Sequence, residues 1–147
     1  MISLLDISDL NKVEELGVKL HENFHNLYDY EALMCGVNKT YTYKLDNSVV
    51  GFIHIQELMD EIDIIDIVID ENHRRKGYAL ELLSNIIDNY PDKKFILEVS
   101  KNNVPAINLY EKIGFKQISV RNGYYNGIDA VIMEKKWFIW KTYIYLQ

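Results

Sequence analysis

The stretch from Asp60 to Val99 most constrains what this chain can fold into. Ile64-Ile65-Asp66-Ile67-Val68-Ile69 has the β-branched density of a buried strand within Asp60–Asp70. After a basic turn, Arg74-Arg75-Lys76-Gly77-Tyr78-Ala79, the residues Ala79, Leu82, Leu83, Ile86, Ile87 and Tyr90 fall at helical spacing on one face. Pro91-Asp92 stops that helix, and Lys94 to Val99 is the next strand. Strand, helix, strand is a βαβ unit, so these two strands are predicted to be parallel neighbours with a right-handed crossover. The turn itself is suited to anions. A glycine lets the backbone approach a ligand, the unpaired N–H groups of a helix start point outward, and the helix dipole favours negative charge. A solvated basic loop is the plainer reading of the same residues.

The remaining chain supplies further strands and helices. Ile2 to Leu5 can start a strand, Ser8 is a predicted N-cap, and Leu10, Val13, Leu16, Leu20 and Phe24 form a helical stripe. A second short helix is expected over Leu27 to Met34. Lys39 to Leu45 and Ser48 to Gln56 read as a hairpin turning at Asp46-Asn47, and a further turn at Met59-Asp60-Glu61 leads into the βαβ unit. Asn102 or Asn103 caps a helix carrying Pro105 in its first turn, with Ala106, Leu109, Tyr110 and Ile113 on its buried face and Gly114 closing it. Phe115 to Val120 and Ile128 to Glu134 complete a mixed sheet. The tail from 137 to 147 is unusually aromatic, which suits packing on the domain's own sheet or on a twin subunit.

Composition narrows the function classes. The 147 residues suit one domain spanning 1–147, and 48% hydrophobic content suffices for a core. A net charge of −6 argues against general nucleic-acid binding; with one local basic turn it suits an anionic ligand and a cationic second partner. The first residues lack a basic, long apolar leader, and no run approaches the roughly 18 apolar residues of a membrane span, so a cytoplasmic protein is expected. Cys35 is the single cysteine and allows no internal disulfide. His21 and His25, spaced i, i+4, have no further ligands near them in sequence, so no metal site is expected.

Arg74-Arg75-Lys76-Gly77-Tyr78-Ala79, together with the order of elements, resembles the GCN5-related N-acetyltransferase (GNAT) superfamily, whose Arg/Gln-x-x-Gly-x-Gly/Ala turn holds the pyrophosphate of acetyl-CoA. The segment from Leu97-Glu98-Val99 through Asn103, Ala106-Ile107-Asn108-Leu109-Tyr110 to Gly114-Phe115 is similar to the RimI family of ribosomal-protein alanine N-acetyltransferases, as are Tyr124-Tyr125 and Asp129-Ala130-Val131-Ile132-Met133. The spacing from Tyr125 to Asp129 is shorter than in that family. The resemblance implies an α/β fold with a central mixed, splayed β-sheet of about seven strands flanked by about four helices. Acetyl-CoA is implied to sit in the gap, with the backbone at Ile67, Val68 and Ile69 pairing with its pantetheine arm. Residues 74–80 (Arg74, Arg75, Lys76, Gly77, Tyr78, Ala79, Leu80) hold its pyrophosphate on this reading, and Asn103 hydrogen-bonds the cofactor; a simple helix cap is the plainer role of Asn103 and is compatible with that bond.

The same resemblance assigns Glu98 as general base and Tyr110 as general acid, whereas a salt-bridged strand residue and a core aromatic are their plainer readings. Glu98 with an ordinary pKa of about 4.3 is ionised at neutral pH and can accept a proton; Tyr110 with about 10 can donate one. Tyr124 and Tyr125 are expected to border the acceptor groove, with Glu31, Asp60 and Glu61 as weaker candidates for attracting a cation. The acceptor implied is a protein N-terminus, such as that of a ribosomal protein. A peptide α-amine near pKa 8 costs roughly 3.4 kcal/mol less to deprotonate than a lysine amine near 10.4. The competing readings are an acetyltransferase for a small amine (a polyamine, an aminoglycoside or an amino acid) and a non-catalytic acyl-CoA binding module. A monomer or a homodimer is expected.

Overall fold

The computed structural model describes residues 1–20 and 29–136. In chain order they form β1 (Ile2–Leu4), α1 (Leu10–Val18), α2 (Tyr30–Met34), β2 (Asn38–Leu45), β3 (Ser48–Glu57), β4 (Glu61–Ile69), α3 (Tyr78–Asn89), β5 (Lys94–Ser100), α4 (Val104–Lys112), β6 (Lys116–Tyr125) and β7 (Ile128–Lys135), with short 3-10 turns before α1 and after β4. The strands make one mixed sheet in the order β1-β2-β3-β4-β5-β7-β6. β4 and β5 are the parallel pair that the βαβ pattern predicted; the other neighbours are antiparallel.

Two apolar layers cover the sheet. Leu82, Leu83 and Ile86 of α3 and Tyr110 of α4 bury against Ile53, Ile55, Ile62, Ile64, Phe95 and Leu97 on one face. Val13 and Leu16 of α1 and Leu33 of α2 bury against Val49, Phe52 and Val68 on the other. Burying each of these side chains contributes about 1.5–3 kcal/mol.

Local signals account for most turns. Leu45 pairs with Ser48 around Asp46 and Asn47, both at positive φ, which is the two-residue hairpin their identities favour. Tyr125 pairs with Ile128 around Asn126 and Gly127, again both at positive φ. Tyr124 and Tyr125 therefore belong to the end of a strand, and the loop is only the Asn-Gly pair. Ser8 is not the first cap: Asp6 is, its carboxylate accepting from the Ser8 backbone N–H at 2.9 Å and from the Ser8 hydroxyl at 2.7 Å. The second helix begins at Tyr30, where the Asp29 carboxylate accepts from the Ala32 N–H at 2.9 Å. Phe24, Leu27, the pair His21 and His25, and the aromatic tail lie outside the described residues.

Three one-residue bulges, beside a two-residue irregularity in β6 between Arg121–Ala130 and Tyr125–Ile128, set which side chains share a face. One extra residue in β3, Val50, falls between the pairs Tyr43–Gly51 and Lys44–Val49. One in β4, Ile65, falls between His54–Asp66 and Ile55–Ile64. One in β6, Ile118, falls between Gln117–Met133 and Ser119–Ile132. Because side chains alternate along a strand, each bulge reverses the facing of everything beyond it.

Candidate active site

The site begins where two strands part. β4 and β5 pair only from Glu61–Lys94 to Ile64–Leu97. Beyond that point β4 stays with β3 as far as Ile69, opposite Gly51, and β5 stays with β7 as far as Ser100, opposite Ala130. From Ile65 onward the β5-side edge of β4 therefore has no strand partner among the described residues. Buried backbone groups require hydrogen bonds, so this open edge suits an extended polar ligand laid along it. A cleft of about 650 Å³ opens there, lined by Ile64, Ile65, Asp66 and Ile67 of β4, Leu97, Glu98, Val99 and Ser100 of β5, and Asn103, Tyr110, Tyr125, Asn126 and Leu20. A second, shallower depression beside Tyr43 and Glu81 shares none of these residues.

Five of the residues singled out in the sequence meet at this cleft: Ile67, Glu98, Asn103, Tyr110 and Tyr125. Val68 and Ile69 continue the open edge, but their side chains turn elsewhere. Val68 is buried with α1 and α2, and Ile69 lies over Gly51, where an added Cβ would come within 2.5 Å of the Ile69 Cδ1. Tyr124 is exposed, its ring in an edge contact with Tyr125 at 5.1 Å between centroids. Asp60 is exposed at the β3–β4 turn, Glu61 is half-buried at the start of β4, and Glu31 is exposed on α2; none lines the cleft.

The basic turn caps the end of α3 that follows β4. Gly77 is its N-cap at φ 83°, with no side-chain cap, and a Cβ added there would meet nothing within 4 Å. The first free N–H groups of the helix thus open onto unobstructed space. Arg75 also has positive φ, at 63°, a conformation that costs a non-glycine residue about 1–2 kcal/mol. Left-handed residues set singly in a turn, as Arg75 and Gly77 are, bring successive backbone N–H groups into one concavity, an arrangement that binds anions. Arg75 and Lys76 are exposed, while Arg74 Nε donates to the Ile69 carbonyl at 3.2 Å and ties the turn to β4. Tyr78 is half-buried, its ring packed on Tyr43 at 4.5 Å. The open β4 edge and the uncapped, unobstructed helix start together suit a ligand with an extended amide arm and a diphosphate.

Glu98 and Tyr110 reach the cleft from opposite faces of the sheet. Phe95, Leu97 and Val99 pack on the α3–α4 side, so Glu98 points to the α1–α2 side, whereas Tyr110 descends from α4. Tyr110 is buried beside Phe115, and burial, with the neighbouring Tyr125, pushes its hydroxyl up to about 12. It is therefore a protonated donor across the working pH range. Tyr125 is also raised, first by burial, then by the charges of Glu98 and Asp66, with Arg121 opposing them. Asn103 caps α4, its Oδ1 accepting from the Ala106 N–H at 3.3 Å.

Two groups carried no role in the sequence. Asp66 is a buried carboxylate in the cleft, placed on the Glu98 face by the bulge at Ile65. Arg121 on β6 holds Glu98, with Nη2 2.9 Å from Oε1, and lies 4.7 Å from the Tyr124 ring. Asp66 interrupts an apolar strand, which is a signal for a site. Arg121 had no comparable signal. Just outside the cleft, burial and the neighbouring Glu61 push Asp63 up to about 7, with Lys94 opposing and Glu98 adding to the rise. Among the described residues no group of three or more His, Cys, Asp or Glu is placed to hold a metal, and no helix is long and apolar enough to cross a membrane.

Known proteins are similar to this chain in sequence and in fold. An N-alpha-acetyltransferase of Saccharolobus solfataricus is 33% identical over 147 residues, covering 88% of this chain and 87% of that protein. A [ribosomal protein bS18]-alanine N-acetyltransferase of Salmonella typhimurium is 33% identical over 95 residues, covering 60% of this chain and 64% of that protein. The crystal structure of the Escherichia coli ribosomal-protein-S18-alanine N-acetyltransferase superposes with a TM-score of 0.78 at 26% identity, covering 92% of each chain. Residues 4–115 match the model of the acetyltransferase (GNAT) family, whose members use acetyl-CoA. With that match and the splayed mixed sheet, this chain belongs to the GNAT family and is an N-acetyltransferase.

Proposed function

We propose that this protein transfers acetyl from acetyl-CoA to the N-terminal α-amine of a protein, in the manner its bS18-alanine-modifying relatives are named for, and that it works in the cytoplasm. The observation that carries this reading is the meeting of Glu98 and Tyr110, from opposite faces, at the one point where β4 and β5 part. The thioester arm lies along the open edge at Ile67, Val68 and Ile69. Its diphosphate rests on the turn of Arg74, Arg75, Lys76 and Gly77, followed by the N–H groups of Tyr78, Ala79 and Leu80. Asn103 faces it from the start of α4.

The neutral amine attacks the thioester carbonyl carbon and forms the new C–N bond. Glu98 accepts the proton that the nitrogen sheds, directly or through a water. The C–S bond then breaks, and the electron pair leaves on sulfur. Tyr110 faces that sulfur with its hydroxyl. Held up to about 12 by burial, that hydroxyl keeps its proton across the working pH range. Tyr110 therefore contributes a hydrogen bond that strengthens as charge develops, and the thiolate takes its proton from solvent. Tyr125 and Tyr124 border the side from which the acceptor enters.

A small amine as acceptor is the second reading, and the two-residue turn Asn126–Gly127 favours it, because so short a loop offers little wall for a peptide to lie against. A mass-spectrometric screen decides between them. The protein and acetyl-CoA are incubated with peptides bearing free N-termini, with alanine-initiated sequences among them, and with spermidine, an aminoglycoside and free amino acids. N-α-acetylated peptide is the expected product; acetylation of the small amines alone rejects the N-terminal reading.

A further inference from the structure

We propose that Arg121 is a positioning residue for Glu98, holding one carboxylate oxygen so that the other faces the cleft; this rests on the reading of Glu98 as the base. The two residues sit on strands that are not neighbours, since β7 lies between β5 and β6. In the cross-strand row, Ser100 and Arg121 pair with Ala130 from its two sides, and Glu98 pairs with Ile132 one step along the same face. Ala130 is fully buried and small, so the Arg121 side chain can pass over its row and reach Glu98 on the diagonal.

This facing depends on the bulge at Ile118. Continuing the register from Lys116–Glu134 and Gln117–Met133 without it would pair Arg121 with Asp129 and turn its side chain to the opposite face of the sheet. Bulges commonly re-aim a side chain beside a site, and this one aims the cation that touches Glu98. Among the described residues Arg121 is the one hydrogen-bond or ion-pair partner of Glu98.

The pair is poorly suited to a stabilising role. Its side chains are 49% and 29% exposed, and exposed ion pairs contribute little to folding. Its geometry is nevertheless fixed on two sides, by the Glu98 oxygen and by the face of Tyr124 at 4.7 Å. Arginine suits both contacts, because its planar guanidinium can bond a carboxylate in plane and stack on a ring out of plane. The contact engages Oε1, which leaves Oε2 to accept a proton from the acceptor nitrogen or from a water bound to it.

A double-mutant cycle with a structural arm tests this. Turnover is followed by thiol release and by product mass with an alanine-initiated peptide and, in parallel, with spermidine, for wild type, R121Q, R121K, E98Q and the E98Q/R121Q pair. A base misplaced by about 1 Å costs up to about 10²-fold, so R121Q is expected to lower kcat about 10- to 100-fold with the KM for acetyl-CoA unchanged, and R121K to recover part of it. If Arg121 acts through Glu98, R121Q in the E98Q background costs less than about twofold. An equal loss in both backgrounds, or no loss in wild type while E98Q is slow, overturns the positioning role and leaves the base in place. Wild-type turnover by E98Q removes the base and this role with it. Crystal structures of wild type and R121Q are expected to show the Glu98 carboxylate in a different rotamer or spread over several. An unchanged, ordered carboxylate overturns the proposal whether or not either acceptor is used.

Discussion

From Glu61 to Ile64, β4 is locked to β5 in parallel register, whereas from Ile65 onward each strand keeps only its outer partner, β4 with β3 up to Gly51 and β5 with β7 up to Ala130. The closed end is made by interdigitating core residues, Ile62 and Ile64 against Phe95 and Leu97. At the open end the chain offers unpaired backbone on one strand and a carboxylate on the other. The cleft is therefore a consequence of two strands that pair over four residues and then follow different neighbours. The residues on either side of that point differ in place: those below it pack into the core, and those above it border the cleft.

The comparison breaks most readily at Glu98. Glu98→Gln is expected to lower turnover by about 10³-fold while acetyl-CoA affinity measured by calorimetry stays the same, because general-base catalysis typically supplies about 10²–10⁴-fold. Retained turnover would mean that the open end is only a binding groove. Tyr110→Phe removes a donor aimed at developing charge and is expected to cost about 10²-fold in kcat. Its melting temperature should move little, since the ring still fills the space against Phe115.

The next effect is on folding. Burial lowers His54, which faces Asp66 across β3 and β4, from 6.5 to about 4. Its folded pKa is below its unfolded one, so the stability it contributes is present above about pH 6.5 and is lost as pH falls through about 4. Urea unfolding should show about 2 kcal/mol less stability at pH 5 than at pH 7 from this group. His54→Gln, which keeps a polar group towards Asn38, should flatten that slope; an unaltered slope assigns it elsewhere. Gly77→Val places a branched side chain at φ 83° and in the space proposed for the diphosphate. Acetyl-CoA should bind at least about tenfold more weakly, a difference of about 1.4 kcal/mol by calorimetry.

The smallest effect sharpens the contrast by its sign. Asp63 lies at the closed end and is raised to about 7, so its contribution is present below about pH 3.8 and is lost as pH rises through 7, the reverse of His54. Asp63→Asn should raise stability at pH 8 by about 1 kcal/mol, a figure discounted because the group is partly solvated. Loss of stability at pH 8 would mean that the carboxylate is paired there.

Much of this was legible before any coordinates. The β-branched run from Ile64 to Ile69, the stripe Leu82, Leu83, Ile86 and the strand from Lys94 announce a parallel pair because period and order leave few alternatives. Asp46-Asn47 and Gly114 were readable because positive φ is a local requirement, met at φ 50°, 66° and 104°. The cap before α1 was not. Asp6, Ser8 and Asp9 are all competent caps; Asp6 caps the 3-10 turn Ile7–Asp9 that intervenes after β1, and Asp9 stands at the start of α1 without a side-chain cap bond. The Asn126–Gly127 hairpin was open to the same rule that found Asp46-Asn47.

Arg121 and Asp66 were hidden for a different reason. Alternation assigns facing only within an unbroken strand, and each of them lies beyond a bulge. The sequence by itself determined the βαβ order, the anion-suited turn and the presence of Glu98 and Tyr110, because periodicity and backbone preference act between near neighbours. The tertiary structure alone decided where β4 leaves β5, that Glu98 and Tyr110 meet across the sheet from opposite faces, and that Arg121 reaches Glu98 over Ala130. Those are matters of register between strands far apart in the chain, where one extra residue moves a side chain from one face of the sheet to the other.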